Sequence, residues 1–283
     1  MKIYASSALV LLLGGFIIGG ISSRIPEDGK GVYIESTMAQ ETTETTTITL
    51  YDTSALSNAK QAWYYMPTKD NTPPKGNSSV DLSKYSSYYL GNSTNKEIYL
   101  TFDEGYENGY SAKILDTLKE KNIKAAFFVT RPYILSSPEL VKRMVEEGHI
   151  VGNHSAKHYS SPTLSDADFM KEITDTEEAF KELTGVNMSK FFRPPMGEYS
   201  ERTLALAHNM GYKSVFWSFA HRDWLTDNQP SVQETYNRVI NNSHNGEIML
   251  LHAVSSSNTA ALGSIIDELK NRGFEFKTLY DLK

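Results

Sequence analysis

No cysteine occurs anywhere in the 283 residues. That absence excludes a disulfide framework and a lipidated amino-terminal cysteine. Cations are also in deficit: 28 Lys and Arg stand against 34 Asp and Glu, a net charge of -6, and no Lys/Arg-rich run is present. Nucleic acid is excluded as a partner on this ground, because holding phosphates takes clustered basic side chains. Charge of either sign is missing from Ile3 to Ser23, which follow Lys2 and have an apolar centre from Leu9 to Ile18. This is the layout of an export signal, and the run also approaches the roughly 20 apolar residues that span a bilayer. Residues 1–23 are therefore expected to be a cleaved signal or a membrane anchor, placing the rest of the chain outside the cytoplasm, with membrane contact through this segment only.

With 40% hydrophobic and 22% charged residues, the chain has the composition of a globular protein with one large domain. Residues 24–60 include a Thr-rich tract beginning at Glu41, too polar to bury a core, and are expected to be a tether. Residues 61–95 carry Trp63, Tyr64 and Tyr65 ahead of Pro67, Pro73, Pro74 and Gly76. They form an expected irregular extension, its aromatics packed on the following domain rather than serving as a sugar platform.

From Lys96 onward short apolar runs alternate with amphipathic segments, the pattern of a parallel β/α architecture. Expected strands are Ile98–Phe102, Ala125–Val129, His149–Gly152, Lys190–Phe192, Lys213–Phe219, Ile248–Leu251 and Phe274–Lys277. The clearest helix runs from Pro138 to Glu147, with Ser137 as N-cap and Gly148 as the stop, and another covers Asp166 to Leu183 before Gly185. The expected fold class is α/β, a distorted (β/α) barrel of about seven strands over residues 96–283.

The least ordinary segments directly follow five of those strands: Asp103-Glu104-Gly105, Asn153-His154-Ser155, Arg193-Pro194-Pro195-Met196-Gly197, Asp223-Trp224 and His252. In a β/α barrel the strand C-termini assemble the active site. The three-residue gap between His154 and His158 suits a divalent metal, if one helical turn aligns the imidazoles. Of Asp103 and Glu104, one carboxylate can complete the coordination while the other accepts a proton from an acidified water. Arg193, stiffened by two prolines, is suited to holding a carboxylate. His252 can protonate a leaving group once its tautomer is set. Asp223 is an orienting partner for Arg193 or His252, and Trp224 a flat wall for a sugar. His149, His208 and His244 are expected in packing or solvated roles, the last two on helices.

On these residues the chain resembles the polysaccharide deacetylases of carbohydrate esterase family 4, the NodB-homology group. Thr101-Phe102-Asp103-Glu104-Gly105, His154-Ser155-Ala156-Lys157-His158, Arg193 through Gly197, Asp223-Trp224 and Ile248-x-Leu250-x-His252 match its five motifs in order, from about Lys96 to Leu282. The resemblance implies Asp103 as general base, His252 as general acid, Arg193 and Asp223 as their supports, and His154 and His158 as ligands of zinc or another divalent ion. It further implies Leu250 lining the acetyl pocket and Pro195 in the substrate loop. Two positions depart from the family pattern: Glu104 stands where a metal-ligating Asp is usual, leaving Glu104 as a weaker third ligand, and Ala220 replaces an acid before the fourth motif.

The longer string through Tyr106-Glu107-Asn108-Gly109-Tyr110 is similar to the subgroup that deacetylates N-acetylmuramic acid in peptidoglycan and leads to muramic δ-lactam in spore cortex. The implied partner is peptidoglycan or a related amino-sugar polysaccharide, met by a monomer on the cell-wall side of the membrane. Two alternatives share these residues: a deacetylase of N-acetylglucosamine polymers or acetylated xylan, and a wall-binding module whose metal chemistry is impaired at Glu104.

Overall fold

The computed structural model describes residues 22–24, 33–35, 50–68 and 70–282. Most of the expected signal or anchor lies outside the described residues, and among those described no helix is long and apolar enough to cross a membrane. The chain divides into two units, Met1–Leu50 and Tyr51–Lys283. In the first, Ser22–Arg24 pairs antiparallel with Tyr33–Glu35.

The second unit is built on one parallel sheet. Its strands are β1 (Ser87–Tyr88), β2 (Glu97–Glu104), β3 (Ala126–Val129), β4 (Ile150–Asn153), β5 (Phe191–Phe192), β6 (Lys213–Val215), β7 (Phe219–Ala220), β8 (Glu247–His252) and β9 (Glu275–Lys277). The order across the sheet is β7-β8-β2-β3-β4-β5-β6-β1, with β9 added beside β2. All seven expected strands are present, but Lys213–Phe219 is interrupted at Phe216-Trp217-Ser218. Ser87–Tyr88 is a strand that the composition of the extension conceals.

The sheet curls into a half-barrel, and its end strands β7 and β1 do not pair among the described residues. Ile98, Leu100 and Phe102 of β2 join Phe127, Val129, Val151, Met249 and Leu251 in a core shared with helices, including Ile114, Leu115 and Leu118 of α1 (Ser111–Glu120). Tyr99 has the opposite parity and meets Phe128, Phe191, Val215 and Ile248 inside the curl. Burial on both faces explains the unbroken apolar run in β2. Helices α2 (Arg131–Ser136), α3 (Pro138–Glu146), α4 (Asp166–Thr184), α5 (Glu201–Asn209), α6 (Val232–Asn242) and α7 (Ser256–Asn271) complete the domain. Pro138 opens α3 at a position where a missing N–H costs no hydrogen bond. Helix α4 starts at Ser165, whose hydroxyl accepts from the Asp168 N–H at 3.1 Å, and stops at Gly185, where φ is 75°.

Residues 51–60, assigned above to the tether, are instead tied to this domain. The Tyr51 N–H donates to the Asn209 side chain at 2.9 Å, and the Asn58 amide donates to the Pro162 carbonyl at 2.9 Å. The boundary moves because Tyr51 and Leu56 supply apolar surface that the neighbouring Thr-rich tract lacks. Trp63 stacks on Phe216, ring centroids 4.8 Å apart, and its indole N–H donates to the Trp217 carbonyl at 2.9 Å. Gly76 permits this packing: a Cβ there would lie 2.3 Å from Trp63 Cη2.

Candidate active site

Strand register assembles the site. Asp103 lies opposite His252 across β2 and β8, while β4 and β5 pair Asn153 with Phe192, so that His154 and Arg193 leave the sheet together. His154 and His158 do meet, with ring centroids 4.8 Å apart. The expected helical turn is absent: the loop turns through left-handed backbone at Ser155 (φ 70°) and His158 (φ 58°). Met196 in the Arg193 loop is also left-handed, at φ 58°. Such non-glycine conformations each cost on the order of 1–3 kcal/mol and are held by their surroundings. Here the His158 N–H donates to Ser155 Oγ at 2.9 Å and the Ser155 N–H to Asn153 Oδ1 at 2.9 Å.

Arg193 is fully buried and spends its guanidinium on three acceptors: Asp103 Oδ1 at 2.7 Å, the Val215 carbonyl at 2.9 Å and the Phe216 carbonyl at 3.3 Å. The break after Val215 frees those carbonyls to serve it. Burial alone would raise the Asp103 carboxyl, but Arg193, His154 and His252 outweigh it and hold the group below the usual carboxylate range. Asp103 is thus an anion aimed into the site.

His154 Nδ1 lies 2.9 Å from the Arg193 carbonyl, an acceptor only, so Nδ1 carries the proton and Nε2 presents a lone pair. Burial pushes this imidazole down to about 4 and also lowers His158. Two neutral imidazoles, with Asp103 Oδ2 at 3.5 Å from His154 Nε2, are the donor chemistry a divalent ion takes. The residues fit such an ion, although no group of three or more ligating side chains is formed among the described residues.

Glu104 does not join them. It shares the parity of Phe102, so its carboxylate enters the helix-facing layer, 3.4 Å from Ser111 Oγ, and is absent from the cavity wall. Period-two alternation in a strand separates it from Asp103. Burial first, then the neighbouring Glu107 charge, raise its carboxyl well above the ordinary value. Pro195, expected in the substrate loop, is buried, and Met196 and Gly197 line the cavity in its place.

Asp223 serves His252, not Arg193. Its Oδ1 is 2.7 Å from His252 Nδ1, and its Oδ2 accepts the His252 backbone N–H at 2.8 Å and the Asn258 amide at 2.5 Å. Burial disfavours the imidazolium, yet Asp223 and then Asp103 more than compensate and raise His252 above the ordinary histidine value. His252 Nε2 is left to face the cavity.

That cavity, about 850 Å³, is lined by Asp103, His154, His158, Leu250 and His252, with Trp224 half-exposed at its wall. Its remaining aromatic surface includes Trp63, Tyr64, Tyr65, Tyr106 and Trp217. The triplet Trp63-Tyr64-Tyr65 therefore both packs and lines the cavity, and Tyr65 is pinned by its hydroxyl to the Ala220 backbone at 3.1 Å. Tyr106 lies in the longer first-motif string and Trp217 a few residues before Asp223-Trp224, so local motifs reach both, whereas no local signal placed Asn258 at the site. Of the other histidines, His149 and His244 are buried, and His244 lies beyond α6 with Nε2 2.8 Å from Ser218 Oγ, not on a helix.

The polysaccharide deacetylase family profile matches residues 91–215. The peptidoglycan-N-acetylmuramic acid deacetylase PdaA of Bacillus subtilis is 40% identical over 230 residues, covering 81% of this chain and 88% of PdaA. The chain belongs to the polysaccharide deacetylase family. An uncharacterized protein of Geobacillus stearothermophilus is 46% identical over 81% of this chain and 87% of its own length. A peptidoglycan-N-acetylglucosamine deacetylase of Bacillus cereus is 35% identical over 70% of this chain and 72% of its own length. The solved structure of PdaA, described as a family 4 carbohydrate esterase, superposes with a TM-score of 0.78 at 39% identity, covering 80% of this chain and 98% of that one. The family is a metal-dependent one, consistent with the paired imidazoles.

Proposed function

We propose that this deacetylase removes the N-acetyl group of N-acetylmuramic acid in peptidoglycan, releasing acetate on the cell-wall side of the membrane. The observation that carries the chemistry is the convergence of two buried pairs, Asp103 with Arg193 and His252 with Asp223, on one cavity. The muramic substrate is supported by the likeness to PdaA over most of both chains.

His154 and His158 would hold a divalent ion, zinc being the expected one, which when bound acidifies water and polarises a carbonyl. Asp103, kept anionic by Arg193, accepts the proton of the attacking water. The acetamide C–N bond then breaks, and His252 delivers its Nε2 proton to the departing nitrogen, becoming neutral, while Asp223 holds the remaining proton at Nδ1. Leu250 and Trp224 line the cavity where the acetyl methyl and the sugar ring would sit. The freed amine can close on its own lactyl carboxyl, losing water, to give the δ-lactam of spore cortex. Residues 1–23 act as the export signal or anchor.

The test is mass spectrometry of peptidoglycan fragments incubated with the purified chain loaded with zinc. Loss of one acetyl group from muramic residues is the expected result. Loss from glucosamine residues alone would replace the muramic assignment with the N-acetylglucosamine alternative.

A further inference from the structure

The geometry points to Arg222 as the residue that reads a carboxylate on the bound sugar, so that the site takes N-acetylmuramic acid in preference to N-acetylglucosamine. This rests on the muramic reading above. Between β7 and Trp224 the side chains alternate: His221 and Asp223 are buried, and both approach Asn258, at 3.0 Å from His221 Nε2 and 2.5 Å from Asp223 Oδ2. Arg222 and Trp224 are exposed and both belong to the cavity wall. The segment that fixes the His252 partner thus presents a guanidinium and an indole to the substrate.

Arg222 is the one Lys or Arg in that wall among the described residues. Among the described residues no hydrogen bond or ion pair engages it. The other nearby guanidinium, Arg193, is absent from the wall and is spent on Asp103 and two carbonyls. A substrate anion would otherwise meet aromatic rings, the Asp103 carboxylate, the neutral imidazoles of His154 and His158, and His252, whose positive charge is already matched by Asp223. Muramic acid differs from glucosamine by a lactyl carboxylate on C3, the carbon next to the one that bears the acetamide. With the acetamide between Asp103 and His252, that carboxylate falls beside the reacting centre. A planar guanidinium with two parallel donors is suited to bind it.

The experiment compares kcat/KM of the full-chain protein, Arg222→Gln and Arg222→Lys on muramic-acid-containing glycan oligomers with free lactyl carboxylates and on the same oligomers as methyl esters. The parent should prefer the free acid. Arg222→Gln should reduce that preference by about tenfold, chiefly through KM, as expected for one charge-assisted pair, and Arg222→Lys should restore part of it. An equal loss on acid and ester, or no acid preference in the parent, would overturn the role of Arg222. Failure of the muramic reading is seen in the parent alone, as acetate from N-acetylglucosamine oligomers and none from either muramic substrate, and it overturns this inference as well.

Discussion

Asp223 grips His252 twice, accepting its backbone N–H at 2.8 Å and sitting 2.7 Å from its Nδ1. One carboxylate therefore sets both the tautomer of the imidazole and the position of the strand end that carries it. It also explains why His252 stays protonated to higher pH than an ordinary histidine.

Asp223→Asn should lower turnover by roughly 10²–10⁴, the usual cost of disabling a general acid. The sign of the pH effect follows from the raised His252 value: the acid form is lost as pH rises through it. Removing the carboxylate lowers that value, so the alkaline limb of kcat/KM against pH should move to lower pH. An alkaline limb that stays in place in the variant would remove His252 from the role of acid.

Asp103→Asn should do two things at once. Turnover should fall by about 10²–10⁴, and stability to denaturant should fall by on the order of 3 kcal/mol, because Arg193 is left as an uncompensated buried cation. Equilibrium unfolding in urea measures the second effect independently of any assay.

Metal content separates the imidazoles from Glu104. His154→Ala and His158→Ala should each lower the zinc bound per chain, whereas Glu104→Gln should leave it unchanged, since its carboxylate faces Ser111. Elemental analysis after dialysis gives the answer. Zinc lost from Glu104→Gln would show that the carboxylate swings to the other face of the strand on binding.

Glu104 carries a pH signature of its own. Its folded-state value is raised by burial and Glu107, so its contribution to stability is complete below the unfolded carboxyl value and is lost as pH rises through the folded one. Glu104→Gln cannot ionise. Its melting temperature should therefore gain on that of the parent as pH increases from about 5 to 8, and parallel curves would contradict this.

Much of the site was legible because short local motifs carry it. Asp103, His154, Arg193 and His252 each end or directly follow an apolar run, and parallel strands bring such positions to one rim. The paired histidines were legible as a pair but not in their backbone, since left-handed turns at Ser155 and His158 replace the helical turn that their spacing suggests. Asp223 was legible as a partner, though not of which residue.

The sequence by itself determined the strand and helix alternation, the family, and the acids and bases available at the strand ends, because hydrophobic periodicity and motif spacing are local properties of the chain. Only the tertiary structure decided that Glu104 turns away from the metal ligands, which follows from strand parity once the concave face is known. It likewise decided that Trp63 and Tyr65, remote in sequence from every catalytic motif, form part of the cavity wall. Their placement depends on contacts with Trp217 and Ala220, more than 150 residues further along the chain. No local pattern encodes a pairing at that separation; packing against the curled sheet selects it.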